Sequence, residues 1–420
     1  MKKRRATSVL VRIVLCLNLS LIGCGYDVTS DALEQIFASV DMVENTLSEK
    51  ESSDPADNIY FNPAENNYFH QENSFLLVNA CDFAYEHLTE SEKKWYRQMA
   101  ECMGDMKGTI ELDPEALQDG LTEEDVDLVF QSVMLDHPEL FFVEGYSYTV
   151  YTRGEELVGI DFEGNYSYGR ELALVRKKEI EKAANSILKE AQKYSSDFDR
   201  IKFVYDKIIQ NTDYVIDAPD NQNIYSVFVN HASVCQGYAC ATQYLLNRMG
   251  MECTLIQGTV EDNDAHAWNL VKADGAYYYL DTTWGDAFYD LEQTNEEGAY
   301  LPGVNYDYMC ITTERLLRTH KPDMPFPLPD CTETQDNYYV HEGAFFQQYD
   351  EEQLRKLFEN DTGGNFAISL QCSDIGCYDE MISRLVDQQE IFLYLPQDTS
   401  DVTYAINTKQ LSMSFWMTNE

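Results

Sequence analysis

Three residues in the middle of the chain have the side chains of a cysteine nucleophile system. Cys235 offers a thiol, His266 an imidazole and Asp281 a carboxylate, and they occur in that order. A thiol that attacks a carbonyl carbon needs a base to take its proton and an acid to orient that base. The residue types therefore predict a Cys-His-Asp system if folding brings the three side chains together.

Cys235 is predicted at or just before the first turn of a helix. Apolar residues follow it at helical spacing: Tyr238, Ala241, Leu245 and Met249. Gly250 then suits the residue that follows a helix end. The backbone N–H groups of a first helical turn and the helix dipole both favour negative charge, so this position favours a thiolate.

His266 and Asp281 are predicted on two strands of one hairpin. Asp274-Gly275 between two β-like runs is a strong hairpin turn signal. A turn centred there puts Trp268 opposite Asp281, so His266 and Asp281 share one face as diagonal neighbours. Their backbones would be roughly 7–8 Å apart, which is within reach of the side chains.

Other interpretations of these side chains remain open. Cys235, Cys240, Cys253 and His266 could form a zinc set, although their spacing fits none of the usual Cys-x₂-Cys patterns. His231 is a rival base, but no acid lies on a matching face. Two nearby carboxylates are the next candidates for the orienting acid: Asp264 and Asp286.

Three short segments resemble the motif blocks of the transglutaminase-like superfamily, whose fold is related to papain-like cysteine proteases. They are Val234-Cys235-Gln-Gly-Tyr-Ala, His266-Ala-Trp-Asn and Asp281-Thr-Thr-Trp. The resemblance implies that Cys235 is the nucleophile, His266 the base and Asp281 the orienting acid. Similar bacterial members often carry a Gln thirteen residues before the Cys, which here is Gln222, a candidate to stabilise the oxyanion.

The resemblance, which covers roughly Phe198 to Trp284, also implies a papain-like or transglutaminase-like core and an activity. The pattern of the remaining chain adds a helix-rich N-terminal region and a small C-terminal α+β domain, so the fold class is α+β. The activity is attack on amide bonds through a thioacyl intermediate, with water or an amine as the acceptor. Gln236 stands where animal crosslinking members carry Trp, and no calcium-ligand cluster is evident. These two departures argue against protein crosslinking. Hydrolysis is slightly favoured because water is always present and no amine pocket is evident from the sequence, and no cofactor or metal is expected. The alternative is a non-catalytic module that binds peptides or glycans of the cell envelope.

Composition limits the partners. The chain has 420 residues, 44% of them hydrophobic, and a formal net charge of −43. That hydrophobic content is typical of a globular chain. The negative charge argues against nucleic acid or an anionic membrane surface as a partner.

The N-terminus resembles a bacterial lipoprotein signal. A basic segment, Lys2 to Arg5, precedes the apolar run Ile13 to Ile22 and the sequence Leu21-Ile-Gly-Cys24. The resemblance implies that Cys24 is lipidated and that the protein is anchored on the extracytoplasmic face of a membrane, with a protein or peptide of the envelope as substrate. Two alternatives are an ordinary secretory signal and an uncleaved anchor. Ten apolar residues are too few for the uncleaved anchor.

Five segments are expected along the chain: residues 1–24 as signal peptide, 25–71 as an acidic tether, 72–195 as a mostly helical domain with a β-hairpin, 196–321 as the catalytic core and 332–420 as a small α+β accessory domain. Periodicity predicts a helical region over Ser74–Met106, a hairpin over Phe141–Asp161 and helices over Glu171–Tyr194 and Phe198–Asn211. In the accessory domain, Ile391–Leu395 is predicted as a strand.

Cysteine number indicates at least one free thiol. Without Cys16 in the signal peptide and the lipidated Cys24, nine cysteines remain, and an odd number cannot all pair. Cys235 is the natural free thiol. Cys372 and Cys377 are close enough in sequence to pair, but a reduced pair fits equally well.

Overall fold

The computed structural model describes residues 11–17, 75–77, 81–286, 303–360, 367–396, 399 and 401–416, with the backbone alone for 11–17. Cys24 and the expected tether 25–71 lie outside these residues. No helix in the described part of the chain is both long and apolar enough to cross a membrane.

A four-stranded antiparallel sheet forms the first layer. Its strands, in the order β1-β3-β4-β2, are β1 (Val11–Leu17), β2 (Ile110–Glu111), β3 (Val143–Arg153) and β4 (Glu156–Tyr166). β3 and β4 confirm the predicted hairpin, and Gly154 at its turn has a φ of +73°. β1 falls within the expected signal peptide, whose cleavage stays a prediction.

Four helices accompany this sheet: α1 (Phe83–His87), α2 (Glu90–Gly104), α3 (Pro114–Gln118) and α4 (Asp125–Asp136). The helical prediction for Ser74–Met106 is wrong at Phe75–Leu77, which form no helix, and at Leu88, whose backbone is extended. Thr89 then starts α2 with a capping box, because its hydroxyl accepts from the Glu92 N–H while the Glu92 carboxylate accepts from the Thr89 N–H.

Two further helices match their predictions and lead to the central helix: α5 (Arg170–Ala191) and α6 (Asp197–Asn211). The short parallel strands β5 (Asp213–Tyr214) and β6 (Ala232–Ser233) follow, with a π-helix over Ser226–Asn230 between them. The central helix α7 (Cys235–Arg248) is buried at every position from 237 to 248. It is therefore enclosed on all sides, which the single apolar stripe of its sequence did not indicate.

A second antiparallel sheet packs against α7. Its strands, in the order β10-β7-β8-β9, are β7 (Cys253–Thr259), β8 (Ala265–Ala273), β9 (Ala276–Leu280) and β10 (Lys321–Pro322). The pairs Ala273–Ala276 and Asn269–Leu280 confirm the predicted register of the β8–β9 hairpin. A central helix beside an antiparallel sheet confirms the α+β fold class.

The described residues form two hydrophobic cores. One contains side chains from Phe75 to Cys331 and the other side chains from Tyr339 to Phe415. The remaining elements are α8 (Thr282–Gly285), α9 (Thr313–Leu316), α10 (Tyr338–His341), β11 (Phe345–Phe346), α11 (Glu351–Asn360), β12 (Ala367–Cys372), α12 (Ile375–Met381), a π-helix over Ile382–Asp387, β13 (Thr403–Asn407) and β14 (Ser412–Trp416). Residues 338–416 are called the C-terminal module below.

One predicted strand of this module is wrong. The expected strand Ile391–Leu395 is instead a 3₁₀ helix over Glu390–Leu393. Gln389 enters it with a left-handed φ of +59°, which turns the chain out of an extended path. Ile391 is buried and Leu393 is exposed, so the short apolar run does not form one face of a strand.

A buried arginine joins the C-terminal module to the rest of the chain. The Arg315 guanidinium, on α9, donates to the carbonyl of Gln410 at 2.7 Å and to that of Cys372 at 2.9 Å. Burial lowers the pKa of Arg315 to about 10. Tyr339 of the module also donates to the Asp307 carboxylate at 2.7 Å, so both Arg315 and Asp307 make buried polar contacts across this boundary.

Candidate active site

Cys235 is the first residue of α7, as its sequence context predicts, and it is partly exposed. The turn at Asn221 supports this helix start, because the Asn221 carbonyl accepts from the Val234 N–H at 3.1 Å and from the Ser233 hydroxyl at 2.7 Å. Gly237 packs in the same place: a Cβ there would lie 2.0 Å from the Ser233 Oγ atom. The thiol is thus held by a tightly packed backbone.

His266 and Asp281 meet as the hairpin register predicts. The His266 Nε2 atom lies 2.7 Å from the Asp281 Oδ2 atom, and both side chains are buried. His266 is on β8 directly opposite Gly258 of β7. Asp281 follows the end of β9, where its N–H bonds to the Tyr308 carbonyl at 3.0 Å. The last β8–β9 pair therefore leaves Asp281 free to turn its carboxylate towards the imidazole.

The Asp281 carboxylate also caps α8. Its Oδ1 atom accepts from the backbone N–H groups of Thr283 at 2.9 Å and Trp284 at 3.1 Å. Burial opposes its charge, but the charge and hydrogen bond of His266 outweigh burial, and they hold the pKa of Asp281 well below its usual range. The Asp281 carboxylate is therefore held in one orientation and is ionised at neutral pH.

The charge state of the His266 imidazole is set by burial and by two neighbouring groups, Asp281 and Cys235. Burial disfavours its charged form, but Asp281 outweighs burial, and the nearby Cys235 adds to the effect, so the pKa of His266 is raised to about 10. Nε2 is engaged with Asp281, which leaves Nδ1 as the ring nitrogen for Cys235. At neutral pH this imidazole is a cation beside a thiol at a helix N-terminus.

A second imidazole, not predicted from the sequence, shares the same carboxylate oxygen. The His320 Nε2 atom lies 3.0 Å from the Asp281 Oδ2 atom, and His320 is buried. His320 directly precedes the edge strand β10, outside the three motif blocks. No local pattern connects it to Asp281, because the chain returns to the site only through tertiary folding.

His266, Asp281 and His320 are buried residues of types that bind metal ions. One ligand atom from each of His266, Asp281 and His320 lies within 4.8 Å of the others, and this is the only such group among the described residues. Cys240 and Cys253 do not join it, so the zinc set considered from the sequence is not assembled. The expectation of no metal stays a prediction.

The rival residues have other partners. His231 is exposed, with Nδ1 2.9 Å from the Asn211 carbonyl. The Asp286 carboxylate accepts from the Tyr238 hydroxyl at 2.7 Å, and Asp264 is exposed. Gln222 is partly exposed and directly follows the turn residue Asn221 that supports the α7 start.

All nine cysteines from Cys81 to Cys377 are free thiols, including Cys372 and Cys377.

Comparison with known proteins agrees with this fold. Residues 183–282 match the model of the transglutaminase-like superfamily, a span that includes Cys235, His266 and Asp281. The chain therefore carries a transglutaminase-like domain, which confirms the resemblance of its motif blocks.

Individual relatives are distant. The mouse kyphoscoliosis peptidase is 20% identical over 192 residues, which is 41% of this chain and 28% of that protein. The chain thus spans little more than a quarter of that relative's length. A TGase crystal structure aligns at 16% identity and a TM-score of 0.25, over 34% of this chain and 44% of the other. The periplasmic domain of TgpA from Pseudomonas aeruginosa aligns at 11% identity and a TM-score of 0.22, over 33% and 72%.

Proposed function

We propose that this protein is a cysteine-dependent acyl transferase or hydrolase that acts on amide bonds of proteins or peptides. The observation that carries the proposal is the His266 imidazole, whose Nε2 atom lies 2.7 Å from the buried Asp281 carboxylate and whose pKa is also raised by the nearby Cys235 thiol at the start of α7. A thiol with a base, and a base with an orienting acid, is what nucleophilic attack on a carbonyl requires.

The proposed reaction has two stages. The proton of the Cys235 thiol passes to His266, and the Sγ atom forms a bond to the amide carbonyl carbon while the carbonyl electron pair moves to the oxygen. The His266 imidazolium then gives that proton to the nitrogen as the carbonyl re-forms and the carbon–nitrogen bond breaks. The product is an amine and a thioester on Cys235. Water or a second amine attacks the thioester, His266 takes the proton of the attacking group, and the Cys235 sulfur leaves. Asp281 holds the imidazole throughout.

The negative oxygen of each tetrahedral intermediate needs hydrogen-bond donors. The first-turn N–H groups of α7, which have no partners within a helix, are one source. The side-chain amide of Gln222 is the other proposed donor, because its turn supports the start of α7. Loss of such a donor commonly lowers kcat about 10²-fold or more, which Gln222→Ala would test.

Alkylation kinetics test the thiol. Two described cysteines are partly exposed, Cys235 and Cys81, and burial raises the pKa of Cys81 far above its usual range. We expect iodoacetamide at pH 7 to modify Cys235 about tenfold faster or more, as measured by peptide mass spectrometry. Equal rates at the two sites would contradict an activated thiol.

Product analysis tests the reaction. With casein as acyl donor we expect new peptide termini or released ammonia in water, and incorporation of a fluorescent alkylamine when one is supplied. Hydrolysis is the favoured outcome. The same assay is repeated with envelope peptides as acyl donors. Fast alkylation of Cys235 with neither product from casein or from envelope peptides would favour the non-catalytic binding module instead.

We also propose that the protein works on the extracytoplasmic face of a membrane, anchored by a lipid on Cys24, with envelope proteins or peptides rather than nucleic acid as partners. The basic start, the short apolar run and Leu21-Ile-Gly-Cys24 support this address. Mass spectrometry of the mature N-terminus tests it, with Cys24→Ser as control. An N-terminal peptide that begins at Met1, or an unmodified Cys24, would contradict it.

A further inference from the structure

We propose that His320 is a positioning residue of the nucleophile system: its Nε2–H donates to Asp281 and sets the orientation and charge of the carboxylate that faces His266. This inference rests on the function proposed above and adds a fourth residue to it. Its basis is that one carboxylate oxygen, Oδ2, lies 2.7 Å from Nε2 of His266 and 3.0 Å from Nε2 of His320.

The neighbours of His320 fix its tautomer. The ionised Asp281 carboxylate, 3.0 Å from Nε2, can only accept, so the ring proton is on Nε2. The Thr319 hydroxyl lies 2.8 Å from Nδ1 and can donate to that nitrogen. Burial lowers the pKa of His320, and the cationic His266 lowers it further, against the opposite effects of Asp281 and of the more distant Glu261. His320 is therefore a neutral donor at neutral pH.

Aromatic rings enclose this donor. The rings of Trp268, Trp284 and Tyr308 lie with their centroids 4.9, 4.7 and 5.5 Å from that of His320. Only 3% of His320 is exposed, so water has little access to the hydrogen bond. A hydrogen bond to an ion in such an environment is stronger than one in water.

The fold brings His320 to Asp281 by a close approach of two strands. Its N–H bonds to the Leu316 carbonyl at 2.9 Å at the end of α9. Directly after it, Pro322 of β10 pairs with Gly258 of β7, where a Cβ would lie 2.2 Å from the Lys321 carbonyl oxygen. Gly258 also pairs with His266 on its other side. The absence of a side chain at Gly258 thus lets both imidazoles reach one carboxylate.

The donor has a predictable effect on His266. Asp281 receives four N–H groups, two from the backbone of α8 on Oδ1 and two from imidazoles on Oδ2. When the His320 donor is removed, more negative charge faces His266. The imidazolium form is then favoured, so the pKa of His266 rises. A residue that only filled space would leave this pKa unchanged.

The test uses the full-length protein in detergent and needs no substrate. The rate of Cys235 alkylation by iodoacetamide is measured from pH 5 to 11 by peptide mass spectrometry, since proton loss from His266 changes this rate. In the plot of alkylation rate against pH, we expect the inflection at alkaline pH to lie about half a pH unit or more higher for His320→Phe than for the wild type. Half a pH unit is about a threefold change in proton concentration. His320→Gln keeps an N–H donor and should restore most of the wild-type profile.

Controls separate this inference from the proposed function. His341→Phe makes the same exchange at an exposed histidine that stacks on Phe198, and it should leave the profile unchanged. If His320→Phe does not fold, as judged by near-UV circular dichroism, Thr319→Val becomes the test, with a smaller shift in the same direction. Slow Cys235 alkylation in the wild type would overturn the proposed function. Fast alkylation with superimposable profiles for wild type and the folded variants would overturn the role of His320 alone.

Discussion

The His266 Nε2 atom lies 2.7 Å from the Asp281 Oδ2 atom, although the last paired residues of their hairpin are Asn269 and Leu280. The hairpin sets the direction of both side chains, and the turn into α8 supplies the final approach. The two N–H groups on the Asp281 Oδ1 atom then prevent the carboxylate from rotating away.

Asp281→Asn should therefore damage both turnover and stability. An amide can accept from the α8 backbone, but it cannot stabilise the His266 imidazolium. We expect kcat to fall about 10²-fold or more with little change in KM, and the free energy of unfolding to fall by about 1–3 kcal/mol. Steady-state kinetics and urea unfolding measure the two effects. A kinetically silent variant would show that another acid, such as Asp264 or Asp286, orients the base.

Cys235→Ala should abolish activity and leave stability nearly unchanged. The thiol is partly exposed at the first residue of α7, so its removal creates no core cavity. We expect the thermal midpoint to move by no more than about 2 °C. The matched change Cys240→Ala, at a buried position of the same helix, should keep activity. Retained activity in Cys235→Ala, with a large loss of stability, would indicate a packing role.

Gly237→Ala should destabilise the protein through the start of α7. A Cβ at Gly237 would lie 2.0 Å from the Ser233 Oγ atom, which is itself held by Ser226 at 2.7 Å. Relief of this clash should cost about 1–3 kcal/mol of unfolding free energy, measured by urea unfolding. Gly108→Ala is the control, because no atom lies within 4 Å of a Cβ there. Equal stabilities of the two variants would mean that the Ser233 segment moves freely.

Stability should decrease as the pH rises from about 6.5 to 9. Burial disfavours the charged form of the His137 imidazole. The Glu139 carboxylate, 2.8 Å away, outweighs burial and raises the pKa of His137 to about 9. A histidine with a raised pKa holds more protons folded than unfolded, so its contribution is complete below its unfolded pKa of about 6.5 and is lost as the pH passes the folded value.

Thermal midpoints at pH 6.5 and 9.5 measure this effect. His137→Gln keeps a donor for Glu139 but cannot titrate, so its midpoint should fall less over the same interval than that of the wild type. Parallel pH curves for the two proteins would contradict a raised pKa of His137.

The sequence allowed the contact between His266 and Asp281 to be predicted because it depends on local rules. The turn residues Asp274-Gly275 determine which residues of the two strands are opposite, and strand periodicity determines which of them share a face. The position of Cys235 followed in the same way from helix periodicity and a terminal Gly250, whose φ is +81°.

Two features could not be predicted because they depend on tertiary structure. His320 reaches Asp281 only because the chain returns along β7 at Gly258, a pairing that leaves no local signal. The apolar run Ile391–Leu395 predicts a strand, but so short a run is also compatible with a buried helical turn. The left-handed Gln389 decides between them, and sequence periodicity does not report it.

The buried Arg315 makes the segment that carries the candidate site depend on residues that are translated after it. Arg315 lies in α9, the helix whose last turn bonds to the His320 N–H, and its guanidinium donates to the carbonyls of Cys372 and Gln410. A ribosome makes those two acceptors only after Cys235, His266, Asp281 and His320 are complete. In a nascent chain that stops before Cys372, the Arg315 guanidinium lacks these two carbonyl acceptors, only five residues from His320 in the sequence. Translation of the C-terminal module thus completes the support of a thiol site encoded far upstream.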